Sequence, residues 1–157
     1  MGVEIERKFL IHHEAWNKLV KPAGKSLRQG YIMNNPAKTI RVRIAEANAW
    51  LTIKGITLGA SRLEYEYEIP LEEAKELLDN FSEGELEKIR YEIDYQGKTW
   101  EVDVFSGDND GLIVAEIELL SEDEDFECPQ WIDVEVTGDE RYYNASLTTY
   151  PFKSWPA

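Results

Sequence analysis

The chain has 157 residues, 43% of them hydrophobic and 11% aromatic, which is enough apolar material for one globular domain over residues 1–157 and too much for a disordered segment. Its net charge of −14 argues against a general electrostatic grip on nucleic acid, although an acidic shell can still enclose a basic pocket. No apolar stretch approaches the roughly 20 residues that cross a bilayer, no secretory segment precedes the first strand, and the lone Cys128 has neither a disulfide partner nor zinc-ligand neighbours, so a cytoplasmic protein without a membrane partner is expected.

From the start, Val3-Glu4-Ile5-Glu6-Arg7-Lys8-Phe9 alternates at period two, which predicts a strand over 3–10 with Glu4, Glu6 and Lys8 on one face. His12 and His13 cannot share a face in extended backbone and read as solvated residues before a short helix over 13–20. Strands follow over 27–33, over 38–46 with Arg41 and Arg43 on one face, over 49–55 with Lys54, and over 61–69 with Glu64, Glu66 and Glu68. Pro70 then introduces a helix over 71–81, where Leu71, Ala74, Leu77, Leu78 and Phe81 recur at helical spacing. Four more strands are expected: 86–95 with Lys88 and Arg90, 98–105 with Glu101 and Asp103, 112–120 with Glu116 and Glu118, and 131–137. The Gly-flanked Asp108–Asp110 segment lacks the glutamate of a calcium loop and reads as a turn; Glu122 to Asp125 read as a solvated acidic run, and a third helix is expected at 121–127 or 143–148.

Turn signals at Asn34-Asn35-Pro36, Gly55 to Gly59 and Gln96-Gly97 keep the connections short, which favours antiparallel neighbours. The fold class expected is therefore mainly β (α+β), an antiparallel tunnel-like barrel of eight to nine strands with a few short peripheral helices. Taken one strand at a time, alternating charge is most simply a solvated sheet face. Across the chain, however, same-sign pairs recur at Glu4/Glu6, Arg41/Arg43 and Glu116/Glu118, and like charges on one face repel unless a cation or a polyanion completes the site. The same count places Glu68, Glu92, Asp133 and Glu135 on charged faces, with the apolar faces turned outward beneath helices and loops. Glu4, Glu6, Glu116 and Glu118 are the best candidates for a hard divalent cation such as Mg2+ or Mn2+. Lys8, Arg41, Arg43, Lys54, Lys88 and Arg90 could surround a polyphosphate, and acids facing bases point to metal-assisted phosphoryl transfer.

The opening Glu4-Ile5-Glu6-Arg7-Lys8 resembles the ExExK signature of the CYTH superfamily, the triphosphate tunnel metalloenzymes, and the short bacterial members are the most similar. Gln29-Gly30-Tyr31, Arg41-Val42-Arg43, Leu51 to Gly55, the Glu64 to Glu68 ladder, Lys88 to Tyr91, Glu101-Val102-Asp103, Glu116-Ile117-Glu118 and Val136-Thr137 follow in family order over nearly the whole chain. The resemblance implies an eight-stranded tunnel that hydrolyses a linear triphosphate with Mg2+ or Mn2+. It implies metal ligands among Glu4, Glu6, Asp103, Glu116 and Glu118, and Glu64 and Glu66 as groups that orient water or assist a second metal. Lys54 facing Tyr31 is a candidate base, against the plainer reading that Lys54 only binds phosphate and Tyr31 packs at the rim. The segment Arg141 to Leu147 resembles one that closes an end of the tunnel, which favours inorganic triphosphate as substrate over an RNA end. A nucleoside triphosphatase or adenylate cyclase of the same fold, and a non-catalytic polyphosphate-binding module, remain alternatives; a homodimer is left open.

Overall fold

In the computed structural model, which describes residues 2–156, the first charged strand, β1 (Val3–Ile11), is the seam of a closed barrel. After α1 (His13–Lys18) come β2 (Lys25–Asn35), β3 (Lys38–Ala45), β4 (Asn48–Gly55) and β5 (Ser61–Ile69). Then follow α2 (Leu71–Phe81), β6 (Glu85–Tyr95), β7 (Lys98–Phe105), β8 (Ile113–Glu118), β9 (Ile132–Glu135) and α3 (Asn144–Thr149). The sheet runs β5-β4-β3-β2-β6-β7-β8-β1-β9, and β5 pairs again with β1, so eight antiparallel strands close and β9 is left over. Closure abolishes the free edges that an open sheet would present.

Short turns set much of this order. Gln96 (φ 49) and Gly97 (φ 79) both take positive φ and join Tyr95 to Lys98, the twist a two-residue hairpin needs. On one edge of β1, Glu4 lies opposite Arg62 of β5; farther along, β9 takes over, with Val136 N donating to Lys8 O. The opposite edge pairs Glu6 with Glu118 and Lys8 with Glu116 of β8. Gly30 of β2 allows α2 to lean in: a Cβ there would meet Leu78 Cδ2 at 2.8 Å.

Two apolar cores lie outside the barrel wall. Phe9, Trp100, Val102, Ala115 and Ile117 pack under Trp16 of α1 and Trp131, while Val42 and Ala49 pack under Ala74 and Leu78 of α2. A third core is inside. Leu10, Leu86, Phe105 and Val114 stand on the same strand faces as Lys8, Lys88, Asp103 and Glu116, so the barrel interior turns apolar at one end. Leu147 of α3 and Tyr142 fill that end as a stopper. Asn34 Nδ2 donates to Ala145 O at 2.9 Å, and Asn109 Oδ1 accepts from Phe152 N at 2.8 Å, which tie the C-terminal segment down.

The third helix thus falls at the later of its two expected places, and residues 121–127 form no helix. Two charges expected on the inner faces are elsewhere, and two more keep that parity but stand outside the cavity. Asp133 and Glu135 ride on β9, outside the closed wall, where Glu135 pairs with Arg7 at 2.6 Å. Glu68 and Glu92 share faces with Glu66 and Arg90 but are exposed. Nor are the outward apolar faces fully covered, since Leu63, Tyr65 and Tyr67 of β5 are exposed with no helix over them. Among the described residues no helix is long and apolar enough to cross a membrane.

Leu147 is 1% exposed in the stopper. Leu147→Ala is therefore expected to cost about 2–5 kcal/mol, against about 0.5 kcal/mol or less for Leu120→Ala at a solvent-facing position. Urea denaturation of both variants checks this, and equal costs would mean the stopper contributes no packing.

Candidate active site

The strand faces that alternation singled out converge on one cavity of about 510 Å³. Glu4, Glu6 and Lys8 reach it from β1, Tyr31 from β2, Arg41 and Arg43 from β3 and Lys54 from β4. Glu64 and Glu66 reach it from β5, Lys88 and Arg90 from β6, and Glu116 and Glu118 from β8. Asp103 of β7, the remaining expected residue, lies behind that wall. It is fully buried and accepts from Lys88 Nζ at 2.7 Å, Arg90 Nε at 2.8 Å and Arg90 Nη2 at 3.0 Å. With both oxygens engaged by cations, its geometry is that of an anchor for two bases.

Most of the bases have a carboxylate partner. Lys8 lies 3.4 Å from Glu6 and 3.5 Å from Glu116, Lys54 lies 3.1 Å from Glu4 and 3.3 Å from Glu64, and Arg41 lies 3.4 Å from Glu66. Arg43 differs. Among the described residues its guanidinium meets no carboxylate and donates only to Gln29 Oε1, at 3.1 Å; burial, then Arg41 and Arg90, push it down to about 10. Arg41 Nε is buried with no acceptor, a donor left unmet inside a charged chamber. Tyr31 and Lys54 are not hydrogen-bonded to each other: Tyr31 accepts from Gln29 Nε2 at 3.3 Å, while Lys54 lies between two carboxylates.

Burial and facing charges set the protonation of the acids. Burial first, then Glu116, pushes Glu6 up to about 8, so it holds a proton at neutral pH. Against the same burial, Lys8, a hydrogen bond from Glu6 and Arg90 hold Glu116 well below the usual carboxylate range. Burial opposes ionisation of Asp103 as well, yet Arg90 and Lys88 drive it to about 2. Burial, with Arg90 and Arg43 nearby, pushes the Lys88 ammonium down to about 7 even against Asp103.

The acids of β1 and β8 form an all-oxygen donor set that fits a hard divalent cation. A cation beside Glu6 would also relieve the like-charge contact that, after burial, helps keep a proton on it. Among the described residues no three acidic side chains already converge as ligands, because Glu4 is turned to Lys54 and Glu6 to Lys8, so binding a cation requires those side chains to move. Several lining groups escape sequence reasoning. Thr52, fully buried, donates to Glu66 at 2.8 Å and accepts from Arg41 at 3.1 Å; Gln29, Arg62 and Asn144 also face the cavity or its wall. Parity alone could have found Gln29, Thr52 and Arg62, which share faces with Tyr31, Lys54 and Glu64.

The sequence pattern of the CYTH domain family matches residues 2–148. An inorganic triphosphatase of Acetivibrio thermocellus is 49% identical over 156 residues, 99% of each chain. One of Nitrosomonas europaea is 36% identical over 153 residues, 92% of this chain and 95% of that protein. A crystal structure of an inorganic triphosphatase, 32% identical, superposes with a TM-score of 0.65 over 100% of this chain and 99% of that one.

Because Glu6 must lose its proton to become a metal ligand, Mn2+ should bind more tightly as pH rises, by about tenfold per unit below pH 8 and with a plateau above it. Calorimetric titration across that range, with Glu6→Gln as the variant that loses the slope, tests this. An affinity independent of pH would exclude Glu6 as a ligand.

Proposed function

The chain belongs to the CYTH domain family, and on that premise we propose that it is an inorganic triphosphatase, cleaving linear triphosphate to pyrophosphate and phosphate in the barrel lumen. The observation that carries this is the cavity in which seven bases on five strands face the carboxylates of β1, β5 and β8, with one end stoppered. Such a chamber takes a short, highly charged chain and has no room prepared for a polymer beyond the stopper.

Lys8, Arg41, Arg43, Lys54, Lys88 and Arg90 bind the phosphate oxygens, with the guanidiniums able to fork and the ammoniums acting as point charges. Asp103 fixes Lys88 and Arg90 from behind, so both are already aimed when the substrate arrives. Glu4, Glu6, Glu116 and Glu118 would hold Mg2+ or Mn2+, which when bound neutralises charge on the phosphate chain. Water attacks the terminal phosphorus, the bond to the bridging oxygen breaks, and pyrophosphate leaves with the electron pair. Glu64, half-buried beside Lys54, and Glu66, held by Thr52 and Arg41, would orient that water and accept its proton. In this reading Lys54 acts as a cation between Glu4 and Glu64 rather than as the base, and Tyr31 lines the wall beside Gln29. An exposed free thiol at Cys128 suits a reducing compartment, and the cytoplasm is the proposed location.

Purified protein with Mg2+ or Mn2+ should release phosphate from inorganic triphosphate much faster than from ATP, and should form no cyclic AMP. Lys88→Met should lower kcat/KM for triphosphate by about ten- to a hundredfold, the worth of a hydrogen bond to a charged group. No release from triphosphate with either metal would overturn the assignment.

A further inference from the structure

The stopper carries one polar side chain into the lumen whose hydrogen-bonding directions are fixed by its neighbours. Lys88 Nζ, which as an ammonium can only donate, lies 2.8 Å from the side-chain oxygen of Asn144, the Oδ1 atom. Gln29 supports the same orientation. Its Oε1 is taken by Arg43 Nε at 3.1 Å, which turns its Nε2 toward the same Asn144 oxygen at 3.4 Å. The order Arg43 to Gln29 to Asn144, closed by Lys88, admits no flip of either amide.

One consequence is a free donor. With Oδ1 committed, the Nδ2 amide of Asn144 has no acceptor among the described residues, and the residue lines the cavity. Among the described residues none of the lumen carboxylates accepts from it: Glu116 is turned to Lys8, Glu66 to Thr52, and Asp103 to Lys88 and Arg90. An acceptor that suits two amide hydrogens standing beside an ammonium and a guanidinium is an anionic oxygen.

We propose that Asn144 is a substrate ligand, donating from Nδ2 to a phosphate oxygen of the bound chain while its Oδ1 holds Lys88; this rests on the triphosphatase reading given above. The C-terminal segment then takes part in substrate recognition as well as closing the barrel. Asn144 also differs from the other proposed ligands in being neutral, so it contributes to binding without a charge that burial would penalise.

The test is to compare Asn144→Ala, Asn144→Leu and Asn144→Asp with the parent, measuring KM for inorganic triphosphate and calorimetric binding of imidotriphosphate, with thermal unfolding as the check on folding. Removing the donor in the Ala and Leu variants should weaken binding by about tenfold. The Asp variant keeps an acceptor for Lys88 but turns a carboxylate toward the phosphates, and should be the worst of the three, by about a hundredfold. If Asn144 only cemented the stopper or held Lys88, the Asp variant would bind like the parent, since an ammonium accepts a carboxylate partner at least as well. Parental affinity in the Asp variant, or in both the Ala and Leu variants, overturns the proposal while leaving the triphosphatase reading intact. A parent that neither binds nor hydrolyses triphosphate overturns both.

Discussion

Asp103 is the charge on which the rest of the lumen is arranged. It sits on β7 directly opposite Arg90 of β6, fully buried, and holds Arg90 with two hydrogen bonds and Lys88 with a third. A carboxylate removed from water is costly unless it is paired and hydrogen-bonded, and here the pairing is with two cations rather than one. Asp103 therefore stays ionised, and Arg90 reaches a second carboxylate, Glu101, at 3.2 Å.

The remaining acids extend the same logic with a different outcome. Lys8, Arg41 and Lys54 each have a carboxylate partner within reach, so the lumen tolerates its own charge before any ligand arrives. On the acidic side the compensation is incomplete: Glu6 and Glu116 are forced together and one proton stands in for a cation. Such a site is preorganised in its walls but not in its side-chain pairing, and ligand binding proceeds by exchange of partners. Fixed charges and dipoles aimed at developing charge commonly supply more of an enzyme's rate enhancement than any other single effect, and here the walls hold them in place.

Much of this was legible in the sequence because a strand has a period of two. Glu4, Glu6 and Lys8, then Arg41 and Arg43, then Lys88 and Arg90, had to share faces whatever the tertiary fold, and the recurrence of like charges argued against water on those faces. What periodicity could not give was depth along the barrel axis. Asp103 has the parity of a lining residue yet lies behind Lys88 and Arg90, because which of several inward residues reaches the lumen depends on the length of its neighbours' side chains. Leu10, Leu86, Phe105 and Val114 were likewise on the charged faces by parity, and their apolar character was the signal that the interior changes solvent at one end. Asp133 and Glu135 had the right pattern on a strand that the barrel does not include, and no local feature of residues 131–137 distinguishes a ninth strand from an eighth.

The seam made by β1 has a consequence for how the molecule is assembled. β1 is synthesised first, yet its edges wait for β5, which ends at residue 69, and for β8, which ends at residue 118. One edge of β1 therefore stays unpaired until β5 is made and the other until β8 is, while the hairpins of β3–β4 and β6–β7 form from local sequence. Contacts of such long sequence separation fold slowly. The first strand thus completes its pairing only once β8 exists, and a nascent chain cut short before β8 would lack Glu116 and Glu118 and carry half a binding site open to water.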